Sequence, residues 1–169
     1  MSLVWLTICF NWFMISYMVN TLEKIYESAI AMSIADILSY LVAGLIYKSI
    51  GIKRLLLYTN MLAAMGGLSI LYYGLQHESS WTYPLLIFIA KTGVSCAFNG
   101  IFIGHQALFP VLFATTSFGI CNIFGRMFSA LSPLIANIEQ PIPMQAYTIS
   151  SAIICILVYF LYEDVVDAK

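Results

Sequence analysis

Six apolar runs of roughly twenty residues, each closed by a short polar or turn-forming break, make up almost the whole chain. They cover 3–21, 29–47, 55–75, 83–109, 112–136 and 144–162. A helix needs about 20 mainly apolar residues to cross the hydrocarbon core of a bilayer. The breaks are Glu23-Lys24, the basic cluster from Lys48 to Arg54, the polar stretch 76–80, Pro110, and the turn marked by Pro141 and Pro143. Pro133 lies near the end of the fifth run. Membrane strands alternate apolar and polar residues over about ten positions. These runs are apolar all round and roughly twice that length. The expected fold is all-α, a polytopic membrane bundle of six transmembrane helices in one domain, with its outer surface in lipid.

Composition agrees. Of the 169 residues, 62% are hydrophobic and 9% charged, against about 25% charged in a soluble domain. A net charge of -1 offers no basic stripe for phosphates, so nucleic acid is not an expected partner. Cys9, Cys96, Cys121 and Cys155 each sit inside an apolar run. They read as small packing residues, not disulfides or metal ligands. The first run has no basic segment before it and no small-x-small cleavage site after it, so it reads as a span, not a signal peptide. With the N-terminus inside, the inside loops and tail hold Lys48, Lys53, Arg54 and Lys169, and the outside loops hold Lys24 alone. The positive-inside bias therefore puts both ends on the cytoplasmic side, or its organellar equivalent. Two pairs of small residues, Gly100 with Gly104 and Ala63 with Gly67, have the four-residue spacing that permits close helix contact.

Three charges fall inside runs: Asp36, Lys91 and Arg126. Each costs several kcal/mol against lipid, roughly 2.5–3.5 on insertion scales, so each should face the bundle interior or a watery cavity. Helical spacing groups them with polar and aromatic neighbours. Lys91, Ser95, Phe98, Phe102 and His105 share a face of the fourth run. Thr115, Asn122, Arg126 and Ser129 share a face of the fifth, and Asp36, Tyr40 and Tyr47 a face of the second. Such a mixture suits a ligand pocket. Asp36, Tyr40, Lys91, Phe98, Asn122 and Arg126 are the candidate binding residues. The structural alternative is that Asp36 pairs with Lys91 or Arg126 to lock the bundle, which leaves one positive charge over. His105 reads as a hydrogen-bonded residue near a helix end, not as a proton relay. No Ser/His/Asp set, metal-ligand cluster or phosphate loop is visible, so neither enzymatic activity nor a cofactor is expected.

The same residues carry a family resemblance. The stretch from Ala90-Lys91-Thr92-Gly93 to Ala97-Phe98-Asn99, followed by Ala107-Leu108-Phe109-Pro110, resembles the tenth helix of the organic cation/anion transporters of the major facilitator superfamily. There a Lys is followed by a small-Phe-Asn step and a Glu-Leu-Tyr-Pro-Thr type motif. Cys121-Asn122 through Arg126 to Ser132-Pro133 resembles the eleventh helix, Asn11-Trp12-Phe13 the start of the seventh, and Asp36 falls where the eighth carries a Glu. Gly44 to Arg54 is similar to a worn form of the loop motif Gly-x-x-x-Asp-(Arg/Lys)-x-Gly-(Arg/Lys)-(Arg/Lys). The resemblance covers nearly the whole chain but only the C-terminal six-helix half of such a transporter. It implies a half of the major facilitator fold, with the substrate held between two halves that rock against each other. The partner would be a second half, a second copy of the chain or a larger membrane complex. The implied ligand is a small organic ion. At the position of Arg126 the anion- and carnitine-type members carry Arg and typical cation carriers an acid, which implies a carboxylate-bearing ligand. There are departures: Ala107 replaces the motif's Glu, Val111 its Thr, Ala114 an Arg and Lys48 the loop motif's Asp. Their loss at the cytoplasmic gate gives the alternative expectation, an accessory subunit derived from a transporter half.

Overall fold

A computed structural model describes residues 2–19, 25–74 and 81–161. Among them all regular structure is helical: α1 (Ser2–Met18), α2 (Ile25–Ser69) with a π-helical turn at Ile70–Gly74, α3 (Thr82–Leu108), α4 (Val111–Ser129), the short α5 (Ser132–Ala136) and α6 (Ile142–Leu161). Four helical segments, Ile25–Gly74, Thr82–Leu108, Val111–Ala136 and Ile142–Phe160, are long and apolar enough to cross a membrane, and Ser2–Met18 is a shorter apolar helix. The break at Glu23-Lys24, the stretch 76–80 and the tail from Tyr162 lie outside the described residues.

The largest departure from the sequence reading is at the basic cluster, which was expected to form a loop. Helical hydrogen bonding continues to both sides of it, and Gly51 alone leaves helical geometry, at φ 80° and ψ 172°. Glycine takes a positive φ at no steric cost, which side chains forbid. That one residue folds α2 into a hairpin. Ser39 on the first arm donates to the carbonyl of Thr92 at 3.2 Å, while a Cβ on Gly93 would stand 2.5 Å from the backbone nitrogen of Ala63 on the second arm. Ser39 and Ala63 are 24 residues apart, about 36 Å along a straight helix, yet both meet the same turn of α3. The arms 25–50 and 52–69 therefore lie side by side on α3.

The second arm and α3 touch backbone to backbone. A Cβ on Gly66 would lie 2.6 Å from Cα of Ala90, matching the contact of Gly93 with Ala63 and Thr59. Glycine at these two positions permits the approach. Of the pairs read from sequence, Ala63 takes part in this contact. Gly67 faces Tyr147 and Thr148 of α6, and Gly100 faces the side chains of Leu55 and Leu56.

The interior is layered. One apolar cluster contains Met14, Ile15, Ala63, Ile70, Tyr83 and Tyr147. A second contains Trp5, Ile8, Ile52, Leu55, Ile101 and Val158. Between them, along four of the helices, the buried residues turn polar: Asn11 on α1, Thr59 and Asn60 on α2, Ser95 on α3, one turn from the buried Lys91, and Ser151 on α6. Asn11 ties α1 to α6, donating to Ser151 at 3.0 Å and accepting from Ser150 at 2.5 Å. Cys9, Cys96 and Cys121 are buried free thiols packed among these side chains, and Cys155 is partly buried.

Outside, the relation of a soluble protein is inverted. Ile37, Leu41, Leu45, Ile123, Met127 and Ile156 are among many large apolar side chains left exposed. Contiguous apolar surface on this scale belongs in lipid or against another protein. Helices, whose backbone polar groups are satisfied internally, are suited to it.

Candidate functional site

The polar middle layer opens into a cluster built by α1, the first arm of α2, and α3. Its centre is Lys91, with 1% of its side chain exposed. A buried ammonium needs compensation from every side, and three groups supply it. The Asp36 carboxylate stands 3.6 Å away on the first arm of α2. The Ser16 hydroxyl on α1 accepts a hydrogen bond from Nζ at 2.8 Å. The Trp12 ring lies beneath Nζ, 3.9 Å from its centroid, within the range of a cation–π contact. Asp36 also accepts a 2.5 Å hydrogen bond from Ser95, one turn along α3 from Lys91.

Aromatic rings extend from this centre. Trp12 stacks on Phe98 at 5.3 Å, and Phe98 meets Phe102 at 5.1 Å. Phe102 in turn meets Trp5 and Phe118. The series ends at His105, which lies edge-on to Trp5 and stacks on Phe109 at 4.6 Å. His105 is buried, and its Nε2 is 2.7 Å from the Ser117 hydroxyl. The face of α3 read from helical spacing, Lys91 through His105, is thus one continuous lining.

Of the six candidate residues, Asp36, Lys91 and Phe98 come together here. Arg126 lies beside them and not among them. Its guanidinium is 5.5 Å from the Phe13 ring, and Phe13 packs edge-on against Trp12. The two cations therefore flank adjacent aromatic residues of α1. The Arg126 side chain is exposed and makes no ion pair or hydrogen bond among the described residues. Asn122, one turn earlier on α4, is half-buried. Tyr40 is 64% exposed and stands outside the cluster. Spacing aligned it with Asp36 along α2, but α3 covers only the edge that carries Ala35, Asp36 and Ser39. Of the two pairings open to Asp36, the structure forms the one with Lys91, leaving Arg126 as the surplus charge.

Sequence reasoning missed the contribution of α1. Trp12, Phe13 and Ser16 were not among the candidates, although Trp12 and Ser16 have the i, i+4 spacing of one helix face. Charge marks the candidates on α2, α3 and α4, and α1 carries none among its described residues. Among the described residues no three His, Cys, Asp or Glu side chains gather as a metal site would require.

No protein-family model matches the chain. It is similar to a Caenorhabditis elegans protein described as a "putative transporter", with 25% identity over 139 residues. The match takes in 82% of this chain and 28% of the relative, so the chain spans less than a third of that protein's length.

Proposed function

We propose that the chain acts in membrane transport, as one half of a secondary transporter for small organic ions that bear a carboxylate. In this reading α1, the two arms of α2, α3, α4 with α5, and α6 make six crossings of the major facilitator type. The cluster on α1, the first arm of α2 and α3, with Arg126 of α4 beside it, forms one wall of the substrate cavity. A partner half, or a second copy, supplies the opposite wall, and rocking of one against the other gives alternating access. The similarity to a protein described as a transporter supports the general role.

The observation that carries the ligand assignment is the charge balance. Lys91 has its acid in Asp36, whereas Arg126 has none among the described residues. A guanidinium stays charged at physiological pH, and a carboxylate can meet it with two parallel hydrogen bonds. Phe13 and Trp12 beside it offer apolar surface for the body of an organic ion. A panel of organic anions and cations, titrated into the reconstituted protein with and without Arg126→Ala, tests this. Carboxylates are expected to bind in preference to cations and to lose about tenfold or more in affinity in the variant, as for loss of a charge-assisted hydrogen bond. Preference for simple cations, or anion binding untouched by the substitution, defeats the assignment.

The accessory-subunit reading rests on one sequence observation. Ala107, Val111, Ala114 and Lys48 stand where the resembling family carries its gate residues. Stable purification within a larger membrane assembly, with no ligand bound by the reconstituted chain, would favour it.

A further inference from the structure

A groove of about 430 Å³ lies on the opposite side of α3 from the aromatic series, between the two arms of α2. Its walls include Val42, Leu45, Ile46 and Ile50 of the first arm and Tyr58 and Leu62 of the second, with Thr92 and Cys96 of α3 at its floor. The volume falls within the roughly 300–1,000 Å³ typical of small-ligand clefts. From Val42 to Ile50 the groove follows the first arm for about 12 Å.

Three of its hydroxyls are satisfied within their own helices, which leaves the Tyr58 phenol as the remaining one. Thr59 donates to Leu55, Thr92 to Phe88 and Ser49 to Leu45, each to a carbonyl of its own helix at 2.7–3.1 Å. The walls therefore present mainly hydrocarbon, and a polar solute would find few partners there. Val42, Leu45, Tyr58 and Leu62 are exposed on this side, so the groove opens sideways, toward the surface that carries the other lipid-suited side chains.

The end of the groove nearest the bend at Gly51 is basic. Lys48 and Arg54 are both exposed and make no ion pair among the described residues. Arg54 precedes the lining residue Tyr58 by one helical turn, and Lys48 adjoins the lining residue Ser49. Lys53, the third basic residue of the bend, points elsewhere, with its ammonium 5.8 Å from the Tyr159 ring of α6. An apolar slot with two exposed, unpaired cations within a helical turn of one end matches an acyl chain with an anionic headgroup.

We propose that this groove binds one anionic phospholipid, with an acyl chain between the arms of α2 and its phosphate on Lys48 and Arg54. The site does not depend on transport by the chain. The basic-residue bias that assigns this bend to the cytoplasmic side also places it in the leaflet where anionic lipids concentrate.

Native mass spectrometry of the full-length protein, released from detergent with phosphatidylglycerol or phosphatidylcholine of identical acyl chains, provides the test. The wild type is expected to retain one phosphatidylglycerol with at least tenfold preference. Each basic residue near the membrane surface contributes about fivefold, so Lys48→Ala with Arg54→Ala should bring the two lipids level while leaving phosphatidylcholine binding unchanged. Leu45→Trp, which fills the slot, should lower retention of both. Lys53→Ala should leave the preference intact. Equal retention by the wild type, a preference that survives loss of Lys48 and Arg54, or an equal loss on Lys53→Ala overturns the proposal. So does an assembly in which a second polypeptide covers the groove and no lipid is retained.

Discussion

Replacing Asp36 by Asn removes one charge from the Lys91 cluster and almost nothing else. The amide oxygen of Asn can still accept from Ser95, and the side chain keeps its size. What is lost is the attraction across 3.6 Å between Asp36 and an ammonium whose side chain is 1% exposed. At the effective dielectric of about 20 that suits such sites, this attraction is about 5 kcal/mol. Asp36 is itself 30% exposed, which screens part of it. Ser16 and Trp12 still solvate Lys91 after the change, and a desolvated cation–π contact contributes about 2 kcal/mol. The expected destabilisation is about 3 kcal/mol, at the lower end of the roughly 3–5 found on breaking buried pairs. For a chain of this length that lowers the unfolding midpoint by about 6–12 °C. Thermal unfolding of the purified protein in mild detergent, followed by helical circular dichroism, reads it directly. The companion variant Asp36→Leu with Lys91→Met removes both charges and should recover the midpoint, because paired apolar replacement of a buried ion pair is often neutral or stabilising. An Asp36→Asn midpoint within about 1 °C of wild type, or a double variant as unstable as the single one, would refute the reasoning.

Two other substitutions probe the frame that holds the site. Gly93→Leu puts side-chain atoms into the backbone of Ala63 and Thr59, where a Cβ alone would already stand at 2.5–2.8 Å. The second arm must move off α3, at a cost of about 3 kcal/mol or more, and a midpoint unchanged in the same unfolding assay would contradict the close packing. Asn11→Leu breaks the link from α1 to α6, yet the expected loss is only about 1 kcal/mol, in the range measured for interhelical hydrogen bonds in membranes. Ser150 already shares its hydroxyl with the Tyr147 carbonyl at 3.0 Å and falls back on it. Collapse of the fold in this variant would contradict a link of that modest strength.

The helices were legible from run length, because an apolar stretch long enough to span a bilayer has few other uses. The break in α2 was legible only as a position. The seven residues from Lys48 to Arg54 combine the charge and glycine of a loop, whereas the backbone needs only Gly51 out of register. Spacing rules likewise identified small-residue faces without saying what those faces meet. Gly100 and Gly104 fit the motif better than Gly93 and Gly66, but the closest backbone approach falls on the latter. Which helix lies opposite is a property of the hairpin, and nothing local to α3 encodes it. Among the charges, the surplus of one cation could be counted from sequence. That Lys91 and not Arg126 takes Asp36 could not, since it follows from the first arm of α2 lying against α3 rather than α4.

That assignment has a mechanical consequence for how such a bundle could respond to a ligand. Lys91 is held by residues of three elements at once: Ser16 and Trp12 on α1, Asp36 on the first arm of α2, and its own position on α3. Among the described residues the Arg126 side chain is tied only through a ring contact with the half-buried Phe13, and such a contact near the surface contributes about 0.5–1 kcal/mol. A ligand carboxylate reaching Arg126 gives up little existing interaction, so its binding energy is nearly all available. A carboxylate reaching Lys91 must first compete with Asp36. The expected order is therefore engagement at Arg126 first, with any disturbance of the Lys91 pair a second and costlier step that would loosen the first arm of α2 from α3. In the binding panel, Asp36→Asn should then leave the Arg126-dependent affinity for carboxylates within about threefold of wild type, or raise it through the freed Lys91. A fall in carboxylate affinity as large as that caused by Arg126→Ala, in protein that remains folded, would mean that the two cations do not act in this order.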